Sequence, residues 1–130
     1  MKKPKIVMQI TKEDTGYSAS ALVKNKSLHT EGDNYEELNA NVLETVNLAF
    51  EDKGFVYTIE EIKFDLELAS FFDFYKVINA KALSERIGMN QSLLAQYIKG
   101  TKTPSTNQTQ RILQGVQQIG RELSEIRFLR

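Results

Sequence analysis

At Ser70 the hydrophobic period of the chain changes from two to about 3.6, and this change limits the folds it can adopt. Before it, Ile62, Phe64, Leu66 and Leu68 alternate with Lys63, Asp65 and Glu67, the period-two signature of a strand with one buried face. After it, apolar residues recur at three and four: Phe71, Phe74, Tyr75 and Ile78, and later Ile112, Val116, Ile119, Leu123 and Ile126. That spacing belongs to amphipathic helices. The pattern predicts an α+β chain, with a sheet-containing unit over residues 1–69 and an all-α unit over residues 70–130. A chain of 130 residues has room for two such small domains.

In the first half, Ile6–Ile10 reads as a strand, Lys12–Gly16 as a turn, and Tyr17–Val23 as a second strand with Tyr17, Ala19, Ala21 and Val23 on one face. A turn at Asn25-Lys26 leads to a short third strand, Ser27–Thr30. A helix follows, with Asp33 as N-cap and Glu36 close to completing a capping box. Leu38, Val42, Val46, Ala49 and Phe50 form its apolar stripe, and Gly54 is its expected C-cap. With the strand from Ile62, the order is β-β-β-α-β. In the second half, Ser70 is expected to cap a first helix, Asn79 a second through Ile87, Asn90 a third through Ile98, and Ser105 or Thr106 a long last one.

Between Leu83 and Pro104 the residue types follow a DNA-reading helix-turn-helix. Two helices that cross steeply need a small residue at their closest point, which Ser84 supplies, and a flexible turn, which Gly88 supplies. Leu83, Ile87, Met89, Leu94 and Tyr97 join the helices, leaving the polar face of the third helix outward. Gln91 and then Gln96, with Ser92 beside them, are the candidates for base edges, since Gln bonds adenine in two places. Asn90, Lys99, Thr101, Lys102 and Thr103 are the candidates for phosphate contacts, and Arg86 and Arg111 add positive potential. Leu93 either packs under the first helix or meets a thymine methyl. A helical bundle that only looks like this motif, or uses it to dimerise, is the competing reading.

The formal net charge of zero conceals a split. Residues 1–70 carry eight Lys and Arg against thirteen Asp and Glu, a balance of −5; residues 71–130 carry nine against four, a balance of +5. The basic half suits nucleic acid and the acidic half a basic protein, with chance segregation as the alternative. With no cysteine, disulfides, thiol catalysis and cysteine metal sites are excluded. No apolar run is long enough to suggest a membrane span, and the apolar patch after Lys5 is too short for a secretory core, so a cytoplasmic protein is expected.

The spacing from about Phe74 to Leu123, including Lys99-Gly100-Thr101-Lys102-Thr103-Pro104, resembles the phage repressor/Cro-type (Xre-like) helix-turn-helix family. Ile98 departs from it, since the family often has an acidic residue there. Gly16-Tyr17-Ser18-Ala19-Ser20 and Thr30-Glu31-Gly32-Asp33-Asn34-Tyr35-Glu36-Glu37-Leu38 resemble the HicB antitoxin family, whose longer members carry a C-terminal DNA-binding domain. Val23-Lys24-Asn25-Lys26-Ser27 replaces an Asp-Leu-Pro-Gly-Cys-like turn found in many members. The resemblance implies a cut-down RNase H-like domain that masks a small basic HicA-like RNA-cleaving toxin, joined to a domain that represses the shared operon.

No enzyme is expected. Asp14, Asp33, Asp65 and Glu67 are scattered, whereas two-metal hydrolysis needs converging carboxylates. His29, the one histidine, has no base-orienting partner in the sequence, and Ser18 and Ser20 lie in no nucleophile elbow. The expected partners are operator DNA, a HicA-like toxin and further copies of the chain, with no cofactor or metal. The alternative is a stand-alone transcriptional regulator whose N-terminal domain dimerises or senses a ligand.

Overall fold

A computed structural model of the chain describes residues 2–129. It is α+β: a four-stranded mixed sheet and five α-helices in two compact units, Met1–Phe74 and Tyr75–Arg130.

In the first unit, β1 (Ile6–Lys12), β2 (Tyr17–Val23) and β3 (Lys26–Gly32) form an antiparallel meander. β4 (Ile62–Leu66) lies parallel to β1 on its other side, giving the order β3-β2-β1-β4. The β2–β3 turn places both Lys24 and Asn25 at positive φ, which suits a two-residue hairpin that follows the sheet twist. The register pairs Val23 with Lys26 and Tyr17 with Gly32. Alternation puts Ile6, Met8, Ile10, Ala19, Val23 and Leu28 under α1 (Tyr35–Ala49), whose Leu38, Val42 and Val46 are fully buried. Gly32 belongs to this contact, because a Cβ there would overlap the backbone of Leu38.

Three local expectations change. Asn34, not Asp33, caps α1: its side-chain oxygen accepts the Glu37 N–H at 2.9 Å, so the Asp33–Glu36 box is not formed. Such a box does occur at Thr58 and Glu61, before β4. α1 stops at Phe50, and Gly54, at φ 76°, instead ends the single 3-10 turn Glu51–Lys53.

The third change is the division of the chain. β4 ends at Leu66 and α2 spans Leu68–Phe74, so Ser70 lies inside a helix rather than capping one. α2 belongs with the sheet, and the expected boundary after residue 69 falls within it. Ser70 is 2% exposed and its Oγ accepts the Lys12 N–H at 3.2 Å, satisfying the end of β1. Asp73 accepts from Lys12 Nζ at 2.8 Å and from the Tyr17 hydroxyl. The Phe74 ring meets Tyr17 edge-on and Tyr35 at a tilt, both with centroids 4.7 Å apart. Burial, and then the Asp73 carboxylate, push the Tyr17 phenol up to about 12.

The second unit holds α3 (Ala80–Ile87), α4 (Gln91–Lys99) and α5 (Thr106–Ser124). Each has the cap expected from its sequence: Asn79 accepts from Ala82 N–H at 2.9 Å, Asn90 from Leu93 N–H at 3.1 Å and Ser105 from Gln108 N–H at 3.2 Å. Its core is Leu83, Ser84, Met89, Leu94 and Ile112. No helix among the described residues is long and apolar enough to cross a membrane.

Candidate nucleic-acid interface

The arrangement around α4 starts from a three-residue turn. Gly88 takes φ 67° and ψ 32° and closes α3 with its N–H on the Ser84 and Glu85 carbonyls. Met89, 6% exposed, drops into the core, and Asn90 opens α4. Leu83 and Leu94, each 1% exposed, hold the two helices together. Ser84 is equally buried and donates its hydroxyl to Lys81 O at 2.6 Å, so the small residue at the crossing is also satisfied.

With one face of α4 committed inward, Gln91, Ser92, Gln96 and Lys99 are all exposed, as are Asn90 and the loop residues Thr101, Lys102 and Thr103. The structure therefore gathers the expected base-edge and phosphate residues on one helix and the loop after it. Leu93 is half-buried. Gly100, at φ 82°, ends α4 with its N–H on Gln96 O and Tyr97 O, and Pro104 precedes the cap of α5.

Hydrogen bonding separates these candidates. Asn90 uses its side-chain oxygen on the helix and keeps its amide hydrogens to donate to an anion. Thr101 donates its hydroxyl to Gln96 O at 3.2 Å, so that proton is unavailable to a phosphate, which only accepts. Lys99 and Lys102 form no ion pair among the described residues.

The two arginines expected to add field are engaged elsewhere. Arg86 pairs with Glu122 at 2.6 Å; that hydrogen bond first, and then one from Gln118, hold the Glu122 carboxyl below its ordinary range. Arg111 reaches back from α5 to the end of α3, donating Nε–H to Ile87 O at 3.0 Å and an Nη2–H to Gly88 O at 2.7 Å. A guanidinium there satisfies carbonyls that the helix leaves open and lies at the negative end of its dipole. An arginine more than twenty positions away carries no local mark of this role.

Among the described residues, no group of three His, Cys, Asp or Glu could hold a metal ion. His29 is exposed on β3 with Glu31 Oε1 at 3.6 Å from its Nε2, a neighbour on the same strand. The chain matches no family model, no curated protein and no solved structure.

Proposed function

We propose that the chain is a DNA-binding antitoxin, whose second unit binds operator DNA as a helix-turn-helix and whose first unit masks a small basic HicA-like toxin. The observation that carries the DNA-binding half is the division of α4. Leu94 is sealed against α3, while Gln91, Ser92, Gln96 and Lys99 stand outward behind a capped N-terminus. A helix entering the major groove needs this arrangement, with polar groups near its start for base edges and cations behind them for the backbone. Residues 75–130 supply the field, with nine Lys and Arg against three Asp and Glu.

The masking half rests on the resemblance of the Gly16–Ser20 and Thr30–Leu38 segments to HicB antitoxins. The β-β-β-α-β order and the acidic balance of residues 1–74, fourteen Asp and Glu against eight Lys and Arg, support it. A small toxin that binds RNA should present a positive surface, which an acidic one would attract.

Fluorescence anisotropy with the DNA upstream of the chain's own reading frame tests the first half. Gln91→Ala should reduce discrimination among sequences by about 1–3 kcal/mol. Lys99→Ala and Lys102→Ala should instead weaken binding to every sequence, each lowering the salt slope by about one. Binding unchanged by all three would refute this docking. For the second half, the full chain is co-purified with the product of the adjacent reading frame, and no complex with a small basic protein would refute masking.

A further inference from the structure

Among the described residues, four of the five exposed large hydrophobic side chains of the first unit line two concavities of opposite charge. One, of about 350 Å³, lies where β1 begins and β2 ends, and there Val7 and Leu22 adjoin Lys5 and Lys24. The other, of about 380 Å³, lies beside the end of α1, and there Leu48 and Val56, 62% and 75% exposed, adjoin Glu44 and Glu51. Among the described residues, no acidic side chain lines the first and no basic one the second.

The acidic groove is built by the chain's own hydrogen bonds. Glu44, Asn47, Leu48 and Glu51 recur at three and four, so they share one face of α1 and the turn after it. Gly54, at φ 76°, turns the chain back, and the Phe55 N–H bonds Phe50 O at 3.3 Å. Asn47 then holds the Tyr57 backbone twice, accepting its N–H at 2.7 Å and donating to its carbonyl at 3.2 Å. The second wall, Phe55 and Val56, is thereby fixed beside α1 before any partner arrives. Neighbouring carboxylates are already matched, Asp52 by Lys26 at 3.3 Å and Glu61 by Lys3 at 2.8 Å. Glu44 and Glu51 are exposed and form no ion pair among the described residues.

We propose that this groove seats the small basic protein that the first unit masks, taking one apolar side chain of the partner between two of its Lys or Arg. The inference rests on the masking reading and adds the place and the chemistry of the contact. Charge selects the groove: the Lys5–Lys24 concavity is of similar size, but its lysines would repel a basic partner. Glu44 and Glu51 stand seven positions apart, about 10 Å along the helix. The two cations they meet are therefore about that far apart, with the apolar group between them on Leu48 and Val56. Attraction alone would accept any basic surface; an apolar anchor framed by two charge pairs accepts one arrangement.

Calorimetric titration of the full chain with the product of the adjacent reading frame tests it, with circular dichroism to verify folding. Leu48→Lys should raise the Kd at least about hundredfold, because it sets a cation where the partner brings its own. Leu22→Lys, the same change in the other concavity, should leave the Kd nearly unchanged. Glu44→Gln combined with Glu51→Gln keeps the apolar floor and should raise the Kd about tenfold while flattening its dependence on salt. If Leu48→Lys fails to fold, this exposed pair decides. A complex indifferent to Leu48→Lys, one weakened equally by Leu22→Lys, or an unaltered salt dependence in the double variant would overturn the groove and leave masking in place. No complex with the wild type would overturn masking itself, and the groove with it.

Discussion

The two units divide their apolar residues in opposite ways. Among the described residues, those of the first unit bury fourteen hydrophobic side chains and expose five large ones, and those of the second bury four and expose six. Both contain regular, well-capped elements, so the difference does not lie in local structure. It lies in what a sheet and a short helix can cover. Four paired strands give α1 a continuous floor, whereas α3 and α4 offer α5 only two or three turns each. The first unit therefore has stability in reserve, and the second depends on a handful of side chains.

Core truncation should break this comparison most sharply if it is wrong. Leu94→Ala removes one of the four buried hydrophobics of the second unit and should cost about 2–5 kcal/mol. A denaturant titration should show the helical unit melting early while the sheet unit keeps its transition. A second unit that remained as cooperative as the first would refute the contrast.

The glycines of α5 sharpen it further. Gly115→Ala drives a methyl into the β-branched Ile87, which cannot turn away easily, and should destabilise by about 1–3 kcal/mol. Gly120→Ala meets nothing and should stabilise the helix by up to about 1 kcal/mol. Opposite shifts in Tm would mark which side of the helix is covered.

The smallest effect belongs to the well-covered unit. Tyr17→Phe removes the hydroxyl bonded to Asp73 and should cost about 1 kcal/mol. The Tyr17 phenol titrates higher in the folded state, about 12, than in the unfolded chain, about 10. Its contribution is therefore complete below pH 10 and is lost as pH rises toward 12. An alkaline denaturation series should show that loss in the wild type and a smaller one in Tyr17→Phe.

Local chemistry was the legible part of the chain. Asn79 and Asn90 cap the helices they were expected to cap, and of the two candidates Ser105 and Thr106 it is Ser105 that caps α5, because a cap and the three residues after it suffice for that interaction. The outward set on α4 was legible for the same reason, since one buried leucine fixes the facing of its neighbours. Where two capping residues stand side by side, as at Asp33 and Asn34, composition does not choose between them. Long-range partnerships were illegible. Ser70 looks like a helix start until the free N–H of Lys12, 58 positions away, claims its hydroxyl. Arg86 carries no local mark of its pairing with Glu122, and Arg111 none of its donors' commitment to the end of α3, which leaves its charge in place.

The seat of Arg111 has a mechanical consequence. A salt bridge between flexible chains limits distance but leaves rotation free. A planar fork set on two successive carbonyls limits both. It therefore acts as a bracket between α5 and the bend before α4, complementing the buried alkyl groups. Substitutions that loosen the core would lower the melting point of this unit sooner than they would change the angle at which α4 is presented. Arg111→Lys, which keeps the charge but loses the plane, would do the reverse.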